Sequence, residues 1–584
     1  MTTFRVWAPA AGRSVEVVVG GDRYPMTAEE RGWWGTEVAG AGPGTDYAYS
    51  VDGGEPRPDP RSPWQPEGVH GPSRVVDHSA FAWTDATWSA PPLASAVVEE
   101  VHVGTFTPEG TFDGVIGRLD HLVDLGVTHV ELLPVAEFPG SRGWGYDGVD
   151  LYAPHSAYGG PDGLKRLVDA CHARGLAVLL DVVYNHLGPA GNYLSTYGPY
   201  FTDRYRTPWG DALNFDGPGS DGVREHFVAN AIMWLRDYHV DGLRLDAVHA
   251  IVDTSATHLL EEIAERVEAL SAEVGRSLVV VAESDLNDPR VVRRREVGGY
   301  GMDAQWSDDF HHALHVTLTG ETSGYYEDFG EDPVGCLATA LRQAFVAAGG
   351  HSAHRDRRHG RLPAGVPGWR FLGYAQNHDQ VGNRATGERL SQLVDEGRLR
   401  VAAALVLTAP FVPMLFQGEE WGASTPFQYF TAHDDPDLGR AVSEGRRREF
   451  ASFGWAPEDV PDPQDPATFE RSRLRWDEVG EEPHAGLLDW HRRLIALRRS
   501  TPDLLDGRLD RVEVRVGPAE GLLTVRRGSV LVAVNVGKEP AHVDLGPFLS
   551  TPVALAWPGE VERTSEGLRL PPAGVAVLSD PASR

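Results

Sequence analysis

The chain has 584 residues, a formal net charge of −31 and two cysteines. Such an acidic surface argues against nucleic acid or an anionic membrane as partner, because both bind clustered basic residues. Two cysteines give no disulfide framework, no apolar run reaches the length of about 18 residues that predicts a membrane helix, and the start lacks a signal-peptide pattern. We therefore expect a cytoplasmic protein of several domains that binds a neutral ligand.

Residues 1–90 predict an N-terminal β-sandwich. Apolar and polar residues alternate in short segments that Gly- and Pro-rich turns separate, which is typical of antiparallel strands. Tryptophans in this region more often form the core of a sandwich than a sugar-stacking surface. The predicted strands are residues 4–9, 14–19, 33–38 and 46–51.

Residues 91–500 predict a central (β/α)8 barrel, because short apolar strands alternate with amphipathic helical segments. In such a barrel the functional residues lie at the carboxyl ends of the strands. Helices are predicted at residues 164–173, 223–238, 255–274 and 390–409. The eight candidate strands are residues 97–103, 127–133, 176–183, 242–248, 277–283, 303–306, 373–375 and 411–416.

Two loops of the predicted barrel favour a sugar-binding cleft. Residues 187–222 form a long insertion rich in Gly, Pro, Tyr and Trp, which predicts a functional wall of the cleft. Residues 140–148 place Trp144 and Tyr146 on a Gly-rich background, and exposed aromatic faces suit pyranose rings. The alternative is an aromatic turn that packs on the barrel.

Residues 501–584 return to β alternation and predict a C-terminal antiparallel β-sandwich, to which we assign a stabilising role. No chemically distinctive motif occurs in it. The predicted strands are residues 511–516, 522–526, 530–536, 541–545 and 575–578.

Polar and ionisable residues recur where five successive predicted barrel strands end. Chance explains one or two such coincidences, but five indicate one site. In strand order they are Asn185 and His186; Arg244, Asp246 and His249; Glu283 and Asp285; Asp308, Asp309, His311 and His312; and His378, Asp379, Gln380 and Asn383.

Arg244 and Asp246 are two residues apart, and side chains of a strand alternate with a period of two. Both should therefore point to the same side of the sheet, where the guanidinium lowers the carboxylate's pKa and keeps Asp246 ionised. The alternative for this pair alone is a structural ion pair at the end of a strand.

Asp246, Glu283 and Asp379 fit glycoside cleavage with retention, which needs a nucleophile and a protonated acid about 5–5.5 Å apart. Glu283 ends an apolar strand, so desolvation should raise its pKa toward that of a general acid. Asp379, beside His378, could bind sugar hydroxyls and favour positive charge on the ring. A metal site is the rival interpretation and Asn185 keeps it open, but no close-spaced ligand motif supports it, so we predict no metal and no cofactor.

Residues 181–186, 241–249, 282–285 and 377–379 resemble the four ordered motifs of the α-amylase superfamily of glycoside hydrolases. The flanking β regions are similar to those of branching and debranching relatives. The resemblance implies that Asp246 is the nucleophile, Glu283 the proton donor and Asp379 the transition-state stabiliser. It also implies that four residues surround the sugar whose bond is cut: Tyr146, His186, Arg244 and His378.

Further segments, at residues 282–288, 305–312 and 446–455, are similar to the trehalose-releasing hydrolases of that superfamily. Such enzymes cut the α-1,4 bond next to the terminal trehalose of a maltooligosaccharide chain. Residues 100–112 discriminate little, because glycogen branching enzymes share them. Two alternatives stay open: a branching enzyme or other α-amylase-type glucan hydrolase, and a non-catalytic glucan-binding protein, for which one of the three acids should be missing.

The resemblance also implies which residues contact the substrate, a maltooligosyltrehalose or a related α-glucan. On the leaving-group side, acids and imidazoles must read the hydroxyls of trehalose, and Asp308, Asp309, His311 and His312 suit that task; for each of them, a packed strand end is the alternative. The implied contacts are Arg244, Leu245, Ala247, Val248, His249, Asp308, Asp309, Phe310, His311, His312, His378, Gln380, Val381, Gly382 and Asn383.

Overall fold

Eight short, mostly apolar strands close into a parallel barrel at the centre of the chain, which confirms the predicted fold class. The structure is a computed structural model and describes residues 1–451, 456, 459–559 and 561–580. Residues 452–455 of the segment 446–455 therefore lie outside the described residues. The barrel strands are Val98–Val101, His129–Leu132, Ala177–Val182, Gly242–Leu245, Val279–Ala282, Ala304–Trp306, Phe371–Gly373 and Val412–Phe416.

All eight predicted strands are present, and the seventh begins two residues earlier than predicted. The strands are buried on both faces, as expected for a parallel sheet that helices cover. Val98, Leu179, Val281, Leu372 and Met414 belong to the inner cluster, whereas their neighbours in sequence pack outward against the helices. This alternation also directs polar side chains of the inner register into the barrel.

The predicted helices are confirmed, and residues 390–409 contain two of them. Leu390–Leu393 ends at Val394, which has an extended backbone. The Asp395 side chain then caps a second helix by accepting a hydrogen bond from the Arg398 N–H at 2.9 Å. The longer helices of the barrel region are Gly160–His172, Ser220–Asp237, Leu259–Val274, Asp308–Thr319, Pro333–Gln343, Glu396–Thr408, Pro436–Ala451 and His484–Ser500.

Antiparallel sheets flank the barrel on both sides in sequence. The N-terminal part has a three-stranded sheet and a four-stranded sheet, with Phe4 and Tyr47 packed at 4.9 Å between ring centroids. The division of the chain at residues 90 and 500 stays a prediction. The N-terminal strands are Thr2–Trp7, Val15–Val19, Asp22–Pro25, Thr27–Ala28, Trp33–Val38, Asp46–Val51 and Ser73–Arg74.

The C-terminal part consists of a five-stranded and a three-stranded antiparallel sheet. Three of its strands were not predicted, because their apolar alternation is short or interrupted: Val553–Trp557, Glu562–Arg563 and Gly567–Leu570. The predicted strands correspond to Val512–Val516, Leu522–Arg527, Val530–Asn535, Ala541–Asp544 and Gly574–Ser579.

The insertion at residues 187–222 contains a short helix, Leu194–Tyr197, and a hairpin formed by Phe201–Thr207 and Gly210–Leu213. Gly210, with a φ of 118°, supplies the left-handed backbone of the turn. The hairpin tip carries Trp209, which is 50% exposed. Within the described part of the chain, no helix combines the length and the apolar character needed to cross a bilayer.

Candidate active site

Arg244 lies at the centre of the polar cluster inside the carboxyl end of the barrel. Its side chain is fully buried, and Nη1 lies 2.6 Å from Asp181 Oδ2 and 3.1 Å from Asp246 Oδ1. Nη2 lies 2.9 Å from Glu283 Oε2. One guanidinium therefore bridges carboxylates from the third, fourth and fifth barrel strands, and its other face is covered by the Trp306 ring at 4.0 Å.

Asp246 follows the fourth barrel strand and points to the same side as Arg244, as the period of two predicted. Asn185, at the end of the third strand, donates from Nδ2 to Asp246 Oδ2 at 2.6 Å and to the Asp246 carbonyl at 2.8 Å. The Asp246 side chain stays 10% exposed. Its carboxylate is thus held by donors on two sides while one edge faces the cleft.

Glu283 follows the fifth strand, and its side chain is 15% exposed. Its Oε2 accepts a hydrogen bond from the Ala247 N–H at 2.8 Å. Ala247 adopts a left-handed backbone, with a φ of 37°, in the turn that brings this N–H to the acid. Burial raises the pKa of Glu283; Arg244 opposes this shift and Asp246 adds to it. The predicted raised pKa of Glu283 is confirmed in direction.

Asp379 and His378 open a short helix, His378–Gly382, after the seventh strand. Desolvation and the charge of Glu283 raise the pKa of Asp379, whereas His378, with Nε2 at 3.6 Å from Oδ1, lowers it. Glu100 holds His378 twice: Oε1 lies 2.5 Å from Nδ1, and Oε2 accepts the backbone N–H at 3.0 Å. Burial lowers the pKa of His378, but Glu100 and Asp379 outweigh it and raise the pKa to about 9.

Tyr146 connects the two halves of this cluster. Its hydroxyl donates to Asp181 Oδ2 at 2.5 Å, and its ring stacks on His378 at 5.1 Å. Burial raises the pKa of Asp181 to about 7, although Arg244 lowers it. Asp181 and Glu100 were not predicted as site residues. Both end apolar strands of the inner register, which is the signal that could have identified them.

Trp144 differs from the expectation that it is exposed. Its side chain is buried, with 6% exposure, and its indole N–H donates to the Gln428 carbonyl at 3.0 Å. The ring packs edge-on against His378 at 5.6 Å. The alternative interpretation of residues 140–148 as a packed aromatic turn is therefore correct for Trp144.

His186 and the hairpin tip form one wall of the cleft. The His186 ring stacks on Trp209 at 4.1 Å with an interplanar angle of 3°, and His186 Nε2 lies 3.1 Å from the Tyr146 carbonyl oxygen. Burial lowers the pKa of His186 to about 4. Trp209 was missed as an individual residue, although the predicted wall at residues 187–222 contains it.

Asp285, two residues beyond Glu283, lies among several cationic or imidazole groups. Arg355 Nη2 contacts its Oδ2 at 3.0 Å, and His249 Nδ1 lies 3.9 Å from Oδ1. Burial raises the pKa of Asp285, but His249 and Arg355 outweigh it and lower the pKa overall. Arg355 comes from the hairpin of His351–Ser352 and Arg357–Arg358, and its local sequence gave no signal.

The predicted contacts of the sixth strand separate into two groups. Asp308 is half-buried and accepts a hydrogen bond from the Tyr374 hydroxyl, and His312 stacks on Tyr325 at 4.7 Å. Burial and the charge of Glu283 raise the pKa of Asp308, and burial lowers the pKa of His312 to about 3. These two side chains lie near the acid Glu283.

Asp309, Phe310 and His311 point into the protein. Asp309 Oδ2 accepts from Asn287 Nδ2 at 2.9 Å and from the N–H groups of residues 346 and 347. Phe310 is fully buried, and both ring nitrogens of His311 lie within hydrogen-bond distance of protein oxygens, the Ala375 carbonyl and the Tyr326 hydroxyl. A side-chain contact of these three with substrate would require this packing to open, and the predicted contact stays a prediction.

The remaining predicted contacts also differ in position. Leu245, Val248 and Val381 are buried, and Gly382 fits against Trp144, which a Cβ would approach to 2.0 Å. Gln380 accepts the Asn377 N–H at 3.1 Å in a capping box. Asn383 is exposed and its Nδ2 donates to Asp379 Oδ1 at 3.4 Å. Asn383 is therefore the side chain of this loop most accessible to a ligand.

The rival metal interpretation rested on Asn185, whose amide is occupied by Asp246. Among the residues that the structure describes, no three His, Cys, Asp or Glu side chains form a group able to hold a metal ion. That the protein needs no cofactor stays a prediction.

Comparison with known proteins gives consistent matches. The α-amylase catalytic-domain family model matches residues 76–206. The chain is 53% identical over 580 residues to the malto-oligosyltrehalose trehalohydrolase of Arthrobacter ramosus, covering 98% of this chain and 99% of that protein. It is 50% identical to the enzyme of the same name from Rhizobium sp. (strain M-11), covering 99% and 97%.

Two further similarities bear on the fold and on the branching alternative. The crystal structure of an α-amylase-like protein from Salmonella typhimurium superposes with a TM-score of 0.91 at 40% identity, covering 99% of this chain and 97% of that one. A 1,4-alpha-glucan branching enzyme from Pseudoalteromonas atlantica is 30% identical, but over only 54% of this chain and 49% of its own length.

Proposed function

The chain belongs to the malto-oligosyltrehalose trehalohydrolases of the α-amylase superfamily, and from this premise we propose which residues carry out its reaction. The enzyme is a glycosidase that cleaves the α-1,4-glucosidic bond next to the terminal trehalose of maltooligosyltrehalose. The products are trehalose and a maltooligosaccharide. The observation that carries the assignment of roles is the bridging of Asp246 and Glu283 by the single guanidinium of Arg244.

In the first step, an Asp246 carboxylate oxygen attacks the anomeric carbon of the glucose next to the trehalose unit. The bond from that carbon to the O4 of trehalose breaks, and Glu283 donates its proton to this oxygen. The raised pKa of Glu283 supports this role, because the acid must be protonated when substrate binds. Trehalose leaves and a glycosyl ester on Asp246 remains.

In the second step, Glu283 acts as a base. Its carboxylate takes a proton from water, the oxygen of that water attacks the anomeric carbon, and the bond to Asp246 breaks. Two inversions at the same carbon retain the α configuration in the maltooligosaccharide product. Asp379 and the cationic His378 hold hydroxyls of the same glucose and stabilise charge on the ring in the transition state.

The cleft around these acids supports a glucan substrate with a defined polarity. Trp209 and His186 form an aromatic wall on the side of Asn185 and Asp246. Asp285, Arg355 and His249 lie on the side of Glu283. We assign the maltooligosaccharide to the first side and the trehalose leaving group to the second, where donors and acceptors alternate at close range.

The test is to supply maltopentaosyl-trehalose and maltohexaose separately and to identify the products by chromatography. We expect free trehalose and maltopentaose from the first substrate and slow turnover of the second. Branched glucan as the main product would contradict hydrolysis and favour the branching alternative, in which another glucan replaces water in the second step.

The same assay tests the assigned roles. Asp246→Ala and Glu283→Gln should each lower kcat by about 10³-fold or more with unchanged circular dichroism, since each removes a group that reacts. Asp356→Asn is the matched control, because its side chain is 99% exposed on a nearby hairpin. Normal rates in either acid variant would remove that residue from the mechanism.

We propose a cytoplasmic location and an enzyme that works without nucleic acid or a membrane. The acidic surface supports the second point, and Cys171 and Cys336, both free thiols, agree with a reducing compartment.

A further inference from the structure

Asn383 lies beside the proposed transition-state stabiliser. It follows the helix His378–Gly382, and its backbone N–H donates to the Asp379 carbonyl at 2.8 Å. Its Nδ2 donates to Asp379 Oδ1 at 3.4 Å while the residue stays exposed to the cleft. The orientation of this one amide therefore decides whether Asp379 faces a donor or an acceptor.

Arg446 reaches this loop from a helix 63 residues away in sequence, Pro436–Ala451. Its Nη2 donates to the Gly382 carbonyl at 2.6 Å, and its Nη1 donates to Asn383 Oδ1 at 3.1 Å. A guanidinium has only donors, so the Asn383 atom that faces it must be the oxygen. The amide nitrogen is then directed toward Asp379.

The guanidinium itself is fixed by aromatic packing. It lies over the Tyr429 ring at 4.8 Å, and Tyr429 packs edge-on against Trp144 at 5.1 Å. Trp144 in turn touches His378, and it occupies the space where a Cβ on Gly382 would lie. Arg446 thus belongs to a contiguous set of contacts that ends at His378 and Asp379.

We propose that Arg446 is a positioning residue for catalysis: it fixes the amide of Asn383 and the carbonyl of Gly382, and through them the carboxylate of Asp379. The helix Pro436–Ala451 is then a working wall of the active site. This inference rests on the proposed role of Asp379. Because Asp379 acts on charge that develops in the transition state, a displaced carboxylate lowers kcat more than it raises KM.

The test measures kcat and KM on maltopentaosyl-trehalose for Arg446→Gln, Arg446→Lys, Asn383→Ala and the double variant Arg446→Gln/Asn383→Ala. We expect Arg446→Gln to lower kcat about 10- to 100-fold, since a misplacement near 1 Å costs this much. Lys cannot donate in two fixed directions, so Arg446→Lys should recover only part of the loss. In the Asn383→Ala background the Arg446→Gln change should cost less than about 2-fold.

Arg448→Gln is the matched control, because Arg448 lies on the same helix, is 73% exposed and pairs with Glu444. It should leave kcat unchanged. An equal loss from Arg446→Gln with and without Asn383 would overturn the inference, because a merely structural arginine would not act through that amide.

Asp379→Asn separates this inference from the assigned role of Asp379. An inactive Asp379→Asn variant with normal turnover in Arg446→Gln overturns the role of Arg446 alone. Normal turnover in Asp379→Asn overturns the role of Asp379 and, with it, the positioning role of Arg446.

Discussion

Two buried cations organise the acids of the site. Arg244 holds Asp181, Asp246 and Glu283, and removing a charged partner from such a buried set costs about 3–5 kcal/mol because the remaining charges lose their counterion. His378 is the second cation, and it depends on Glu100, 278 residues earlier in the chain. Both cations offer hydrogen-bond donors beside the glucose that reacts.

The His378–Glu100 pair predicts a pH dependence of stability. The groups that set the charge of His378 are Glu100 and Asp379, which raise its pKa, and Arg244, which lowers it. Because the folded pKa of about 9 exceeds the ordinary value of 6.5, the stabilisation is complete below pH 6.5 and is lost as the pH rises through about 9. Glu100→Gln should therefore destabilise the enzyme most at low pH, by up to about 3–5 kcal/mol.

Thermal inactivation of the wild type and Glu100→Gln, measured from pH 6 to pH 10, checks this. The two midpoints should differ most near pH 6 and converge above pH 9. Glu109→Gln is the control, because Glu109 is an exposed acid that follows the same barrel strand. A gap between the midpoints that stays constant with pH would contradict the predicted ion pair.

At the scale of elements, the hairpin of residues 201–213 converts an insertion into a binding wall. The two strands hold Trp209 at the tip, and the flat stacking on His186 leaves part of the indole exposed to the cleft. An exposed aromatic face of this kind suits the apolar face of a pyranose ring. The hairpin lies outside the barrel, so its contribution should be to binding rather than to chemistry.

Trp209→Ala should raise KM for maltopentaosyl-trehalose about 5- to 30-fold, since one lost aromatic contact is worth about 1–2 kcal/mol. Its kcat should change little, because the interaction is the same in the ground state and the transition state. Trp209→Phe keeps a flat face and should retain most of the affinity. Initial-rate kinetics give both constants, and a fall in kcat at constant KM would be evidence against the binding wall.

At the scale of the whole molecule, the C-terminal sheets pack at the end of the barrel opposite the acids. Arg527, from the second C-terminal strand, donates to the carbonyls of Thr408, Ala409 and Leu504 at 2.7–3.0 Å. Arg498, from the last long helix, donates to the carbonyls of Leu407, Ala409 and Phe411. Two arginines thus satisfy backbone oxygens where the eighth barrel strand begins.

Arg527→Met should destabilise the enzyme by about 3 kcal/mol or more, because several buried carbonyls would lose their donor at once. The active site lies at the other end of the barrel, so kcat at 25 °C should stay within about 2-fold. Arg526→Met is the control, since Arg526 is 41% exposed and pairs with Glu513. The half-life of activity at elevated temperature is the measurement, and equal half-lives of the two variants would contradict the stabilising role.

Much of the fold and of the chemistry could be predicted from local sequence. Each barrel strand is an apolar run, so its burial is written in consecutive residues. The shared direction of Arg244 and Asp246 follows from the period of two, and the raised pKa of Glu283 follows from the apolar strand that it ends. The order of the four motifs carried the rest of the assignment.

The sequence by itself thus determined the barrel, the flanking sheets and the set of acids, because these depend on neighbours within a few residues. Only the tertiary structure decided that Trp144 is buried, that Asp309 and His311 point inward, and that Glu100, Arg355 and Arg446 reach the site. These contacts join residues tens to hundreds of positions apart. Their partners are chosen by packing, and packing has no period along the chain.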